Sequence, residues 1–333
     1  MGNNISIVCG FAVALATVPA IAHHSRANFS DTIVVFEAEV TRWEWVNPHV
    51  YAYVEAPSVG GIMTEWEVEM QSTMGLVRRG WNPDSLAIGD VITIRANPDR
   101  NSERKLLFGI TYTKADGSTL SSQGPARGPA DDVPPAESLV GVWSNASWRG
   151  AGPRDRAATH LPLTEKALAA TVEYSERHNP MAQCIFGMPP GNMGGPYLHE
   201  VEILDEVILL NMEYNEVTRT VYMDGREHPV NPTPSNQGHS IGWWEGDTLV
   251  VDTVGFAEHR WGNGRGIPSG MQRHSVERLT LSESGRNVQI EYTIEDPEYL
   301  TEPVTGSVSW AHAPDMRMLP NTCDPEVAAR VLN

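Results

Sequence analysis

The stretch SIGWWEGDTLVVDTV, residues 240–254, decides the fold of the second half of this 333-residue chain. Its two β-prone arms flank the tripeptide EGD at 245–247, which is typical of a tight turn, so the stretch predicts a β-hairpin. Residues 207–225 and 275–294 repeat this pattern of strand-forming runs and Gly-containing turns. Consecutive hairpins predict a lipocalin-like antiparallel barrel over residues 138–333, with one or two short helices.

The residues before this region predict a second, smaller barrel. Residues 115–137 are rich in Gly, Pro, Ser and Asp and have few large apolar side chains, which is typical of a flexible linker. Within residues 23–114, five or six short alternating strands and one helix capped by Ser72 predict an OB-like barrel. The expected fold class is therefore mainly β, with a small OB-like barrel followed by a larger lipocalin-like one.

The N-terminus has the pattern of an export signal. An apolar run from Ile5 ends in the small-x-small site Ala20-Ile21-Ala22, so residues 1–22 are predicted to be a signal peptide. The run is too short and too weakly hydrophobic for a good membrane span. We therefore expect a periplasmic or secreted protein that is not inserted in the membrane after cleavage.

Cysteine usage agrees with export. Cys9 leaves with the signal peptide, and Cys184 and Cys323 remain as an even pair in an oxidising compartment. We expect these two residues to form a disulfide bond.

The formal charge restricts the partners. The net charge is −18 at pH 7, which argues against nucleic acid and against an anionic membrane surface. A small-molecule ligand and metal cations are the partners that this charge permits. The oligomeric state does not follow from the sequence.

Three histidines form a candidate metal site. Cleavage after Ala22 makes His23 the first residue, so its amine and its imidazole could chelate one ion together with the ring of His49. Three nitrogen donors of this kind suit copper, in the arrangement called a histidine brace. His24 could bind independently or remain exposed, and the alternative is that His23 and His24 are an ordinary chain terminus.

Several motifs resemble those of known sequences. HHS (23–25), WEWVNPH (43–49) and LVRRGW (76–81) resemble the motifs of a family of exported bacterial proteins of unknown function. Residues 222–229 and 238–253 are similar to a recurrent exported domain that is also uncharacterised. This resemblance implies no established chemistry. Trp243 departs from it, because a small or basic residue is expected at that position.

Histidines and carboxylates in the second barrel are candidates for acid–base chemistry. His239 with Asp252, and His274 with Glu277, could face one cavity and act as a base with an orienting partner. His228 is a further candidate. The alternative is that these side chains make structural hydrogen bonds only.

Aromatic residues near His239 are candidates for ligand stacking. Trp243, Trp244 and Trp261 are the best placed in the sequence, and His228 could contact the same ligand.

Three functions remain open. We favour an exported binding protein for a small apolar or aromatic compound, with copper at the mature N-terminus. The second is a periplasmic hydrolase, lyase or cyclase that uses histidine and carboxylate chemistry. The third is an interaction module, which predicts barrels filled by their own side chains.

Overall fold

Strands dominate the structure, a computed structural model that describes residues 28–57, 61–123, 132–145, 161–195, 197–264 and 266–332. They form two closed barrels joined in sequence by the segment around residue 130. The mainly β fold, with a small barrel followed by a larger one and few helices, confirms the predicted fold class.

The first barrel has the strand order expected of an OB-like fold. Its sheet runs β3-β2-β1-β4-β5-β6, and a parallel pairing of β3 with β5 closes it. The core contains Val40, Val54, Trp81 and Tyr112. The strands are β1 (Val34–Glu44), β2 (Tyr51–Pro57), β3 (Met63–Glu69), β4 (Val91–Pro98), β5 (Leu106–Lys114) and β6 (Thr119–Ser121).

A short helix, α1 (Thr73–Val77), lies between β3 and β4. The Ser72 side chain caps it, because its hydroxyl accepts a hydrogen bond from the backbone N–H of Gly75. Gly80 follows with φ +89°, a conformation that glycine adopts without strain, and the chain then turns toward Trp81.

The second barrel is closed by nine strands in the order β10-β11-β12-β15-β16-β17-β7-β8-β9. In a closed barrel with an odd number of strands, antiparallel pairing cannot continue all the way round, so at least one pair of neighbours must be parallel. Here that pair is β10 and β11. The strands are β7 (Gly141–Asn145), β8 (Leu198–Ile203), β9 (Val207–Met212), β10 (Val217–Tyr222), β11 (His239–Glu245), β12 (Thr248–Val254), β15 (His274–Leu281), β16 (Asn287–Glu295) and β17 (Val304–His312).

Smaller elements accompany the nine strands of this barrel. β13 (His259–Gly264) and β14 (Ile267–Ser269) form a separate two-stranded sheet. Helix α2 (Glu165–Val172) begins after the cap Thr164, and a 3₁₀ turn (Glu176–His178) follows it. The last helix is α3 (Pro325–Ala328).

Side chains fill the described interior of the second barrel. Trp143, Leu249, Leu279, Ile290 and Trp310 are members of one buried cluster. A small cavity beside Trp310 leaves about 20 Å³ for the centre of a water-sized molecule, which is room for about one water. A lipocalin-type ligand would need far more space than this cavity offers.

The C-terminal segment ties the two barrels together. Cys323 is disulfide-bonded to Cys184, as predicted, and the residues that follow pack on the first barrel. There, Val327 lies against Tyr51, and Arg330 forms an ion pair with Glu44 at 2.6 Å. The disulfide fixes one end of this segment, and the contacts of Val327 and Arg330 fix the other.

A buried ion pair makes a second link between the barrels. Arg78, next to α1, pairs with Glu213 at the end of β9, and both side chains are buried. The backbone N–H groups of Leu198 and Leu319 also donate to the Glu213 carboxylate.

Within the described residues, no helix is long and apolar enough to span a bilayer.

Candidate functional site

Alternation along β12 decides which side of the barrel wall each residue faces. Leu249 and Val251 belong to the barrel core, and Thr253 is fully buried in the same phase. Successive residues of a strand point to opposite faces, so Val250 and Asp252 face outward. Asp252 therefore lies on the outer surface of the barrel wall.

The Asp252 carboxylate connects two imidazoles on that outer face. Its Oδ1 lies 2.9 Å from Nε2 of His228, and its Oδ2 lies 3.0 Å from Nε2 of His274. Nδ1 of His274 lies 3.4 Å from Oε2 of Glu295, its register partner on β16. We call His228, His239, Asp252, His274 and Glu295 the outer histidine cluster.

His239 joins the cluster through His228. The Nδ1 atoms of the two rings are 2.8 Å apart, so one of them donates a hydrogen bond and the other accepts it. The other side of the His239 ring stacks on Tyr222, with centroids 5.2 Å apart. The guanidinium of Arg226 lies 3.9 Å from the Tyr222 ring centroid, beside the site, and forms an ion pair with Asp224.

A close backbone approach brings His228 onto the barrel wall. The loop that carries it, residues 223–238, passes beside the residues that follow β12, where Ser235 forms a bridge with Phe256. Gly255 has φ +73°, and a Cβ there would lie 2.7 Å from the Pro232 side chain. Only glycine allows the loop to lie this close.

The charges of the cluster follow from these contacts. The hydrogen bond that His274 donates to Asp252 raises the pKa of His274, and burial opposes this effect only in part. Burial also acts to raise the pKa of Asp252, but the hydrogen bonds from His274 and His228 outweigh it and lower that pKa. Burial, with the nearby His228 and Arg226, lowers the pKa of His239.

These shifts define a proton arrangement. An ionised Asp252 only accepts hydrogen bonds, so both His228 and His274 carry hydrogen on Nε2. When Nδ1 of His228 accepts from Nδ1–H of His239, the Nε2 atom of His239 keeps its lone pair. His239 is then a neutral base whose Nδ1–H is hydrogen-bonded to the imidazole of His228, and His228 is in turn hydrogen-bonded to the carboxylate of Asp252.

The expectation that His239, Asp252, His274 and Glu277 share one cavity is wrong in its geometry. Glu277 faces the barrel interior, where its side chain is fully buried and pairs with Arg219 at 2.6 Å. Asp252 and Glu277 lie on strands that pair directly, but in opposite phases of the pleat. His239, Asp252 and His274 do come together, on the outside of the wall.

The Arg219–Glu277 pair lies at the centre of a buried polar network. Arg219 also donates hydrogen bonds to the hydroxyls of Ser240 and Thr253, at 2.9 and 2.6 Å, and Ser275 donates to Glu277 at 3.1 Å. Ser240, Thr253 and Ser275 are the immediate chain neighbours of His239, Asp252 and His274. The network thus holds the three strands in register directly behind the outer histidine cluster.

The predicted stacking residues lie apart from the cluster. Trp243 is on the same face of β11 as His239 but about 13 Å further along the strand. Its indole donates to Glu245, and Trp243 and Trp244 are both exposed. Trp261 lies in the two-stranded sheet, with its ring 6.4 Å from that of Tyr174.

His49 of the first barrel is held by its Nδ1 atom. That atom donates to the backbone carbonyl of Met70 at 2.9 Å and lies 3.2 Å from Oε1 of the buried Glu69. A histidine that is anchored in this way presents Nε2 outward, as metal-binding histidines do. His23 and His24 lie outside the described residues, and within the described ranges no three His, Cys, Asp or Glu side chains are grouped to hold a metal ion.

Sequence reasoning missed Glu295, Tyr222 and Arg219. Glu295 is the register partner of His274, which only the pairing of β15 with β16 reveals. Tyr222 lies next to His239 because β10 and β11 pair in parallel. The sequence predicted consecutive antiparallel hairpins, which contain no such pair. Arg219 carried one signal, because an arginine inside a run of strand-forming residues needs a buried partner.

A family model and a solved structure match parts of this chain. A family of unknown function (DUF6152) matches residues 12–108, which include His23, His24 and His49. The comparison with curated proteins found no match. The crystal structure of the Ifi202 HINa domain in complex with 20bp dsDNA matches at 14% identity over 75% of this chain and all of that chain. Its TM-score of 0.13 is too low for any argument about fold or function.

Proposed function

We propose that this protein is an exported enzyme that uses the outer histidine cluster for acid–base chemistry on a small molecule. The observation that carries the proposal is the chain of contacts from Asp252 through His228 to His239. The filled interior of the second barrel favours a ligand on the outer face over a ligand enclosed among the strands.

His239 has the properties of a general base. Its lowered pKa keeps the ring neutral near pH 7. When Nε2 takes a proton, Nδ1–H of His239 donates to His228, which in turn donates to the Asp252 carboxylate. His274 lies between Asp252 and Glu295 and holds the carboxylate in place.

Hydrolysis is the reaction that this base can perform with water alone. Nε2 of His239 takes a proton from water, the hydroxide oxygen attacks an acyl carbon, and the alcohol leaves with a proton returned by the imidazolium. The Arg226 guanidinium beside the site is paired with Asp224, and its remaining N–H groups favour a substrate whose carbonyl or carboxylate becomes more negative during the reaction. Tyr222 gives that substrate an aromatic wall.

Ester hydrolysis by the full chain tests this proposal. We expect the wild type to hydrolyse a soluble aryl ester such as 4-nitrophenyl acetate, and His239→Gln to lose about 100-fold in kcat/KM. Asp247→Asn, in the β11–β12 turn, is the matched control and keeps wild-type activity. Equal rates for wild type and His239→Gln would contradict the assignment of the base.

A copper site is a second candidate function, favoured by the geometry of His49. Its Nδ1 is engaged by Met70 and Glu69, which leaves Nε2 for an ion. The described chain begins nearby, because Phe29 packs on Phe108, the register partner of Glu69. Five residues span up to about 17 Å, so connectivity allows His23 to reach His49.

Copper binding by the mature protein tests this candidate. Protein that begins at His23 should bind one Cu(II) with a type-2 electron paramagnetic resonance spectrum. One extra residue before His23, or His49→Ala, should each weaken binding, whereas His178→Ala should not. Equal affinity in all four proteins would rule out a brace at these residues.

A further inference from the structure

A polar recess on the first barrel lies far from the outer histidine cluster in the chain and has no role in the proposed function. It measures about 370 Å³ and opens on the outer face of β2 and β3. The start of β5 and the C-terminal segment complete its walls. Its lining residues are Tyr53, Glu65, Glu67, Arg104, Lys105, Leu106 and Arg330.

The register of the sheet places a carboxylate in the wall of this recess. Glu67 on β3 is the register partner of Tyr53 on β2 and of Leu106 on β5. Among the described residues, no side chain lies within hydrogen-bond distance of its carboxylate, although it is half-buried. Burial raises the pKa of Glu67, because the charge has lost water without gaining a direct partner.

Cations border the same space without neutralising Glu67. Lys105 is exposed, and within the part of the chain that the structure describes its Nζ contacts the Ser102 carbonyl at 3.4 Å and, at 5.4 Å, the Trp66 ring. Arg104 reaches Asp99 at 3.4 Å, and Arg330 is committed to Glu44 at 2.6 Å and to the Tyr53 hydroxyl at 3.1 Å. The Glu67 carboxylate and the Lys105 ammonium group therefore both border the open space of one recess.

We propose that this recess binds a small zwitterion, such as a free amino acid or a short peptide that carries both an amine and a carboxylate. The ligand's ammonium group pairs with Glu67, and its carboxylate pairs with Lys105 and Arg104. A recess of this volume encloses one such molecule. The site is independent of the acid–base chemistry proposed above.

Calorimetric titration of the full chain with L-alanine and L-alanyl-L-alanine tests the proposal. We expect at least one of the two to bind at millimolar concentration or better. N-acetyl-L-alanine lacks the ammonium group and L-alaninamide lacks the carboxylate, so each should bind about tenfold more weakly or worse. Equal binding of blocked and free forms, or no binding of either zwitterion, would overturn the proposal.

Two variants separate the site from general charge effects. Glu67→Gln and Lys105→Met should each weaken binding of the zwitterion about 10-fold to 100-fold. Glu37→Gln changes an exposed carboxylate on β1 of the same barrel and should leave binding unchanged. Loss of binding in Glu37→Gln as large as in Glu67→Gln would show that only net charge matters, and would overturn the assignment.

Discussion

The Oδ1 atom of Asp252 lies 2.9 Å from Nε2 of His228, although the two residues are 24 positions apart in the chain. The contact links a barrel strand to the loop that covers it. It also fixes which nitrogen of His228 carries hydrogen, and through that ring it determines which nitrogen of His239 is free to act as a base.

Asp252→Asn should lower the pKa of His274. The hydrogen bond that His274 donates to the Asp252 carboxylate is the main cause that raises this pKa, and asparagine removes the charge of the acceptor. We expect a decrease of about 1 pH unit or more, measured by titration of the imidazole resonances in NMR. Asp247→Asn provides the control, and an unchanged His274 titration in Asp252→Asn would show that the carboxylate does not govern this ring.

His199 should make the protein sensitive to acid. Burial lowers its pKa to about 3, below the ordinary 6.5, and its ring stacks on Trp310 with centroids 4.4 Å apart. The folded state therefore favours the neutral ring, so this contribution to stability is present above pH 6.5 and is lost as the pH falls toward 3. The loss approaches about 1.4 kcal/mol per pH unit within that window.

Urea unfolding at pH 7 and pH 5 checks this effect. His199→Phe keeps an aromatic ring against Trp310 and removes the titration, so its stability should fall less between the two pH values than that of the wild type. His178→Gln changes an exposed histidine and should follow the wild type. The idea fails if His199→Phe has the pH dependence of the wild type.

The disulfide was predictable from the sequence, and its structural consequence was not. Removal of the predicted signal peptide would leave two cysteines and a single possible pairing, and Cys184 and Cys323 are indeed bonded. That the bond anchors a segment crossing to the first barrel depends on the contacts of Arg330 and Val327, which no periodic pattern encodes.

The side of the wall on which Asp252 lies also could not be decided from the pattern alone. In TLVVDTV, both phases of the strand contain valine, so apolar alternation does not identify the inner face. The barrel resolves this by burying Thr253 with Arg219 and leaving Asp252 outside. A polar residue facing inward is possible here because its hydroxyl is fully engaged in hydrogen bonds.

Removal of the disulfide should destabilise the protein and loosen the C-terminal segment. The bond closes a loop between residues 139 positions apart, and the entropy of the unfolded chain predicts a contribution of about 2–5 kcal/mol. Cys184→Ala/Cys323→Ala should lower the urea midpoint and increase amide exchange over residues 324–330. Intact-mass alkylation should find no free thiol in mature wild-type protein, and two free thiols would refute the bond.

A second substitution can show whether the buried pair of Arg219 and Glu277 stabilises the protein through its charges. Their side chains are 4% and 0% exposed, so Arg219→Met leaves a carboxylate without its counter-charge and should cost about 3–5 kcal/mol in urea unfolding. Arg219→Met/Glu277→Leu removes both charges and should recover most of that loss, because no buried ion remains. If the double variant is as unstable as Arg219→Met, the network stabilises the barrel through the hydrogen bonds of Arg219 to Ser240 and Thr253, and pairing with Glu277 is secondary.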